Sequence, residues 1–184
     1  MEHAEKQTQV RQLVTAGVLA ALGCAATMAL QVPSPTGGYV NLGDAVVLLG
    51  AYLLGPAYGA AAGGLGPAMA DLLSGYAVYV PATLLIKGVM ALLAAGLYRT
   101  IGRTGGGLLA CGLAAETVMV LGYWLFGGLL AAASGGGSFG LCLTAAAAGI
   151  PGNLAQGIFG TAASALLVLA LRRSASIRRQ FPHL

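Results

Sequence analysis

Long apolar segments fill nearly the whole chain, and only short turns separate them. Hydrophobic residues make up 58% of the 184 positions, whereas charged residues make up 8%. A soluble domain carries about 25% charged residues, so this chain has too few to cover a surface that faces water. The composition excludes a soluble globular fold, and the high hydrophobicity excludes intrinsic disorder. We therefore expect an integral membrane protein.

Turn-forming clusters of glycine, serine and proline divide the chain into six apolar segments. A helix needs about 20 apolar residues to cross a hydrocarbon core about 30 Å thick. The sequence thus predicts an all-α integral membrane protein with six transmembrane helices in a single domain over residues 1–184. The predicted spans cover residues 13–30, 42–54, 57–73, 78–97, 107–130 and 141–171.

Basic residues outside the spans fall into three segments, and cytoplasmic segments are the ones that retain Lys and Arg. These segments are a polar head (1–12), the connection after the fourth span and a basic tail (172–184). Six spans place all three on one side, so the N and C termini are predicted to be cytoplasmic. A signal peptide ending near Gly23-Cys24 is the alternative for the first span, but its removal would leave an odd number of spans. The basic residues are Lys6, Arg11, Arg99, Arg103, Arg172, Arg173, Arg178 and Arg179.

Histidine and cysteine offer no material for a metal or catalytic site. His3 and His183 lie at opposite ends of the chain. Cys24, Cys111 and Cys142 occur singly within apolar runs, without the spacing of metal ligands. We expect no metal and no cofactor, and we interpret the cysteines as small buried hydrophobic residues.

Four ionisable residues lie inside the predicted spans: Asp44, Asp71, Lys87 and Glu116. A charge at the bilayer centre costs at least about 2.5–3.5 kcal/mol, so such residues face a cavity or one another. At about 1.5 Å of rise per residue, Lys87 and Glu116 lie near the midplane and the two aspartates lie in the outer half. Two structural alternatives stay open. Asp71 and Lys87 could form an internal ion pair, and Asp44 could cap the second helix.

Polar and aromatic residues accompany these charges at similar depth. Asn153 and Gln156 share one face of the sixth span, and Tyr123 and Trp124 lie about two turns outward of Glu116. This distribution predicts a pocket open to the outside and closed to the cytoplasm, roofed by the loops around Gly38-Tyr39 and residues 76–79. Interhelical hydrogen bonds and an interfacial aromatic belt are the alternatives. The predicted substrate-binding residues are Asp71, Tyr79, Lys87, Glu116, Tyr123, Trp124, Asn153 and Gln156.

Small residues line one side of the first span, where Ala16, Ala20 and, one register over, Ala21 recur at helical spacing. Small residues at this spacing let helix backbones approach closely. Packing within the chain explains such a face, and docking of another membrane subunit is the second explanation.

Several short motifs occur in order along the chain, and together they resemble one family. The motifs are Gly38-Tyr39-Val40-Asn41-Leu42-Gly43-Asp44, Leu54-Gly55-Pro56 with Gly59, Ala70-Asp71-Leu72-Leu73 with Gly75-Tyr76, Pro81 with Ile86-Lys87-Gly88, and Ile150-Pro151-Gly152-Asn153 with Gln156-Gly157. In this order they resemble the substrate-binding S components of energy-coupling factor (ECF) vitamin transporters.

The resemblance implies a six-helix, monomeric binding subunit in the cell membrane of a prokaryote, which captures a vitamin or precursor from outside. Its ligand would be of the riboflavin, pyridoxine or hydroxymethylpyrimidine type. The alanine face of its first helix, matched by Ala16, Ala20 and Ala21, would dock on a transmembrane coupling subunit that works with two cytoplasmic ATPases. The chain itself would not be an enzyme, and the S component would topple in the membrane to release its ligand.

Two other functions are alternatives for these residues. A membrane-embedded enzyme could use Asp71, Lys87 or Glu116 as acid or base, but the sequence places no nucleophile or metal ligand set beside them. A stand-alone secondary transporter usually shows internal repeats, and none is evident here. Nucleic-acid binding is not indicated, because the basic residues follow membrane topology rather than forming a groove.

Overall fold

The computed structural model describes residues 2–102, 104–181 and 184, with side chains from residue 6 onward. Arg103 and His183, which the sequence analysis used, lie outside the described residues, as does the side chain of His3. Helices form nearly all of the described chain. They are α1 (Glu2–Ala29), α2 (Asp44–Leu54), α3 (Pro56–Leu73), α4 (Val80–Ile101), α5 (Gly105–Ala133), α6 (Phe139–Ala146), α7 (Ile150–Leu171) and α8 (Ala175–Gln180).

A short β-hairpin interrupts the all-helical pattern between α1 and α2. Its strands, β1 (Val32–Pro33) and β2 (Tyr39–Val40), pair antiparallel with Val32 opposite Val40. Gly37 and Gly38 in the turn have φ angles of 85° and 69°, which favour glycine over any residue with a Cβ. The sequence predicts only a loop here, because two-residue strands carry no periodic pattern that would indicate their pairing.

Within the described residues, four helical segments are long and apolar enough to cross a membrane. They cover residues 6–29, 77–101, 105–133 and 139–171. The second predicted span is the shorter apolar helix α2, of 11 residues. The third is α3, whose apolar residues are diluted by glycines, two prolines and Asp71. Six spans and cytoplasmic termini therefore stay predictions, whereas the helical, membrane-type architecture is confirmed.

The sixth predicted span is not one continuous α-helix. It consists of α6, a turn of 3₁₀ helix at Ala147–Gly149, and α7. Pro151 follows at the start of α7, where proline is tolerated because its missing N–H would have no partner. The break sets the N-terminal end of α7 beside the hairpin, where α7 contacts β2.

Helix α2 is the centre of the bundle. All 11 of its residues are buried, and it contacts α1, α3, α4 and α7. A helix that is hydrophobic on every side is surrounded by protein or lipid, and here protein surrounds it.

Close backbone packing explains part of the small-residue pattern. A Cβ on Gly66 of α3 would lie 2.5 Å from the carbonyl oxygen of Ala20, and Ala16 is 6% exposed. Of the three alanines predicted to dock on a partner, Ala16 is thus buried and Ala20 half-buried against the rest of the chain, while Ala21 is exposed. The face at Ala16 and Ala20 packs inside the protein, because α3 approaches α1 there.

Candidate ligand-binding site

A cavity lies between the hairpin and the ends of α3, α4, α5 and α7. Its enclosed volume is about 40 Å³, and its walls combine hydroxyl, amide and carboxyl groups with aromatic rings. Small-molecule sites have this mixture of apolar walls and a few placed polar groups. The residues on its wall include Thr27, Ser34, Thr36, Tyr39, Asn41, Asp71, Tyr79, Thr83, Tyr123, Trp124, Asn153 and Gln156.

Six of the eight predicted binding residues line this cavity: Asp71, Tyr79, Tyr123, Trp124, Asn153 and Gln156. Lys87 and Glu116 do not line it. They lie behind the wall with 1% and 3% of their surface exposed. Contact with a ligand stays a prediction for all eight.

Lys87 forms its ion pair with Asp44, and both side chains are 1% exposed. The pairing of Lys87 with Asp71, weighed as an alternative, is therefore wrong. Asp71 instead accepts a hydrogen bond of 2.6 Å from the Tyr39 hydroxyl. The helix cap at the start of α2 is Gly43, with no side-chain hydrogen bond, so capping is also not the role of Asp44.

A chain of hydrogen bonds links this ion pair to the cavity wall. The Nε2 of Gln156 donates to Asp44 Oδ2 at 2.7 Å, and the backbone N–H of Asn41 donates to Gln156 Oε1 at 2.7 Å. The Oδ1 of Asn41 in turn accepts from the N–H of Gly43 at 2.8 Å. The hairpin, α2, α4 and α7 thus meet through one polar network at the cavity.

Comparison with known proteins decides the family. The sequence model of the ECF-type riboflavin transporter S component family matches residues 7–173. The chain belongs to this family. S components are membrane-embedded, substrate-binding transport subunits of ECF transporters, so this chain is a transport subunit and not an enzyme.

Two individual proteins are similar to this S component. A solved structure described as the S component of a bacterial ECF transporter superposes with a TM-score of 0.68 at 22% sequence identity, over 90% of this chain and 97% of the other. This likeness shows the fold. An uncharacterised protein from the gap 3′ region of Pyrococcus woesei is 39% identical over 99 residues, which are 53% of this chain and 65% of the relative.

Aromatic rings form one side of the cavity in the S component. Tyr39 packs on Tyr76 with ring centroids 4.8 Å apart, Tyr76 lies 6.2 Å from Tyr79, and Tyr79 lies 5.3 Å from Phe126. A Cβ on Gly38 would lie 3.2 Å from the Tyr79 ring, so glycine also allows this close approach. The two segments that the sequence predicted as a roof do meet at the cavity.

Tyr39 is tied to the body of the protein by its bond to Asp71. Burial of the ring, then the hydrogen bond to Asp71 and the negative charge of that carboxylate, raise the pKa of Tyr39 above its ordinary value. The hydroxyl therefore stays protonated and donates at physiological pH. The second oxygen of Asp71, Oδ2, is buried and accepts no hydrogen bond from the described residues.

Tyr123 and Trp124 are anchored within the bundle. The Tyr123 hydroxyl donates to Thr83 Oγ1 at 2.9 Å, and the indole N–H of Trp124 donates to the Leu143 carbonyl at 2.9 Å. The Lys87 ammonium also lies 5.5 Å from the centre of the Tyr123 ring, within the range of a cation–π contact. Both rings are half-buried and are fixed as cavity walls.

Glu116 lies next to Asp44 on the far side of the wall. A Cβ on Gly160 would stand 2.7 Å from Asp44 Cβ and 2.8 Å from Glu116 Oε1. The two acidic side chains therefore approach each other in the space that a side chain at position 160 would occupy. Neither Glu116 oxygen accepts a hydrogen bond from the described part of the chain. Asp44 is not among the predicted binding residues, although an acid in the second predicted span and a lysine in the fourth are the sequence signal for this pair.

The opposite end of the bundle is closed by other groups. Arg172 donates to the Tyr98 hydroxyl at 3.0 Å and to the Gly102 carbonyl at 2.8 Å. The Tyr98 ring packs on Tyr52 with centroids 4.8 Å apart. Tyr98 and Arg172 thus link the C-terminal ends of α4 and α7 at this end of the bundle.

Proposed function

We propose that this S component binds riboflavin, or a flat heterocyclic vitamin of similar polarity, in the cavity beside the hairpin. The observation that carries the proposal is the cavity wall, where the rings of Tyr79, Tyr123 and Trp124 accompany the amides of Asn153 and Gln156. A flat ring system with polar edges stacks on aromatic side chains and exchanges hydrogen bonds with amides. The riboflavin description of the matching family supports the same ligand.

Entry of such a ligand requires the hairpin to move. Sites for small organic molecules measure about 300–1,000 Å³, whereas the enclosed volume here is about 40 Å³. The side-chain bonds of Tyr39 to Asp71 and of Asn41 to Gln156 hold the hairpin against the bundle. We expect the hairpin and its aromatic neighbours to swing outward and to close again over the bound vitamin.

Titration of the detergent-purified chain with riboflavin, followed by quenching of flavin fluorescence, tests the proposal. Trp124→Ala should weaken binding about tenfold or more, because stacking on an aromatic ring is worth about 1–3 kcal/mol. Phe159→Ala is the matched control, since Phe159 is an exposed aromatic residue outside the cavity. The absence of binding to riboflavin, pyridoxine and hydroxymethylpyrimidine alike would refute the proposal.

The family also supports a proposal for the assembly. The S component would lie in the cell membrane of a prokaryote with both termini on the cytoplasmic side, as its basic segments predict. It would deliver its ligand to a transmembrane coupling subunit served by two ATPases that hydrolyse ATP. Ala21, the exposed member of the three predicted docking alanines, is the one available to a partner. Uptake of radiolabelled vitamin into vesicles should therefore require the partner proteins and ATP.

A further inference from the structure

The amide of Gln156 is held from two sides at the cavity wall. Its Nε2 donates to Asp44 Oδ2 at 2.7 Å, and its Oε1 accepts from the Asn41 backbone N–H at 2.7 Å. The side chain is 4% exposed and lines the cavity. The orientation of this amide between Asp44 and Asn41 therefore decides which donor and which acceptor Gln156 offers to a ligand.

The ion pair behind the wall dictates that orientation. An ionised carboxylate only accepts hydrogen bonds, and a backbone N–H only donates. Lys87 donates to the other oxygen of Asp44 as its ion-pair partner, and both side chains are 1% exposed. Gln156 must then turn its NH₂ toward Asp44 and its oxygen toward Asn41, because the reverse would set two acceptors and two donors face to face.

These two bonds use only part of the hydrogen-bonding capacity of the Gln156 amide. A glutamine amide carries two N–H donors and two acceptor lone pairs, of which the network uses one each. One N–H and one lone pair are left for a ligand. The network also fixes the segment between the hairpin and α2, because Asn41 is held through its N–H by Gln156 and through its Oδ1 by Gly43.

We propose that Asp44 and Lys87 are positioning residues: without touching the ligand, the pair sets the orientation of the Gln156 amide and, through Asn41, pins the segment that leads from the hairpin into α2. The part that concerns the ligand rests on the proposed function. The part that concerns Asn41 does not, because it is visible in the ligand-free chain.

Hydrogen exchange of the Asn41 amide in the full, detergent-purified chain without ligand tests the pinning. In Asp44→Asn, the new amide must accept from Lys87 and so turns its NH₂ toward Gln156. Gln156 then has to reverse, which sets its own NH₂ against the Asn41 N–H. Loss of that acceptor should accelerate Asn41 exchange about tenfold or more, since a buried polar group without a partner costs about 1–3 kcal/mol.

A second substitution separates orientation from general loosening. Asp44→Asn combined with Gln156→Glu restores an acceptor at both ends of residue 156, so Asn41 exchange should return toward the wild-type rate. Ser164→Ala is the matched control, because this hydroxyl is also buried on α7 but donates to the Thr161 carbonyl and not to the network, and it should leave Asn41 exchange unchanged. Unchanged exchange in Asp44→Asn, or no recovery in the double variant, would overturn the proposal.

Gln156→Leu covers the case in which Asp44→Asn does not fold. It removes the acceptor directly and should accelerate Asn41 exchange to the same extent, and a wild-type rate in this variant would also overturn the proposal.

Riboflavin titration tests the part of the proposal that concerns the ligand. Asp44→Asn should raise the dissociation constant about tenfold, and the double variant should not recover affinity, because Glu lacks the N–H that Gln156 offers. A wild type that binds none of riboflavin, pyridoxine and hydroxymethylpyrimidine but shows the expected exchange pattern would refute the proposed function and leave the positioning of Asn41 standing.

Discussion

The two ends of the bundle are built from the same helices in opposite ways. At the cavity end, α4 and α7 contribute Lys87, Thr83 and Gln156, which bond across helices and leave space between them. At the other end, Tyr98 of α4 and Arg172, directly after α7, fill the space with a ring and a guanidinium group. The contrast shows how one set of helices can leave a cavity near one end of a bundle and fill the space between its members at the other.

The largest expected effect concerns the ion pair at the cavity end. Lys87→Met leaves the Asp44 carboxylate buried without its cation, and breaking a buried pair in this way costs about 3–5 kcal/mol. The free energy of unfolding, measured by denaturant titration in detergent, should fall by this amount. Asp44→Leu combined with Lys87→Met should recover most of it, because neither member of the ion pair is then left buried without its partner. Equal stability of Lys87→Met and wild type would contradict the buried pair.

The sealed end should respond more weakly. Tyr98→Phe keeps the ring contact with Tyr52 but removes the oxygen that accepts from Arg172. Hydrogen bonds to a charged group contribute about 1.5–3 kcal/mol, so the free energy of unfolding should fall within this range. Vitamin affinity should stay at its wild-type value, and a substantial loss of affinity would show that the two ends are coupled.

The hairpin latch should have a smaller effect that depends on pH. Tyr39→Phe removes the bond to the Asp71 carboxylate, worth about 1.5 kcal/mol at the lower end of the range for a charged group because Tyr39 is only half-buried, and should speed ligand dissociation about tenfold. Because the folded state raises the pKa of Tyr39, this contribution is complete below the ordinary tyrosine value of 10.0 and is lost as pH rises above it. The difference in melting temperature between wild type and Tyr39→Phe should therefore shrink above pH 10.0. A constant difference would contradict a hydrogen-bonded, protonated Tyr39.

The smallest effect is expected at Glu116. Its carboxyl oxygens are buried and accept no hydrogen bond from the described residues, so an amide of the same size loses nothing there. Glu116→Gln should change the free energy of unfolding by less than about 1 kcal/mol, toward greater stability. A loss as large as that of Lys87→Met in thermal unfolding would mean that Glu116 has a partner.

Much of the cavity could be predicted because polar groups are expensive inside a membrane. Several polar or aromatic residues differ clearly from the apolar sequence around them, and they line the cavity: Asp71, Tyr123, Trp124, Asn153 and Gln156. The ordered motifs also led to the family, which the match over residues 7–173 confirms. Scarcity of polar residues is a signal that survives without any knowledge of the fold.

The ion pair behind the cavity wall could not be predicted from the sequence. Asp44 and Lys87 are 43 positions apart, and only the packing of α2 against α4 shows that they meet. A small-residue pattern does not distinguish contact within a chain from contact between chains, so the docking role of Ala16 stays a prediction although its side chain is buried. Hydropathy has the same limit at α2, because the sequence of an apolar helix does not show whether lipid or protein surrounds it.

The complete burial of α2 has a consequence for how the protein enters its membrane. Its 11 residues span about 16 Å, roughly half of a hydrocarbon core. Neither α2 nor the glycine-rich α3 offers the insertion machinery a strong signal by itself. Gly55 alone separates them, with a φ of 78° that folds one helix back on the other. The pair is therefore suited to insertion as one helical hairpin, sheltered by α1 before the later helices are synthesised.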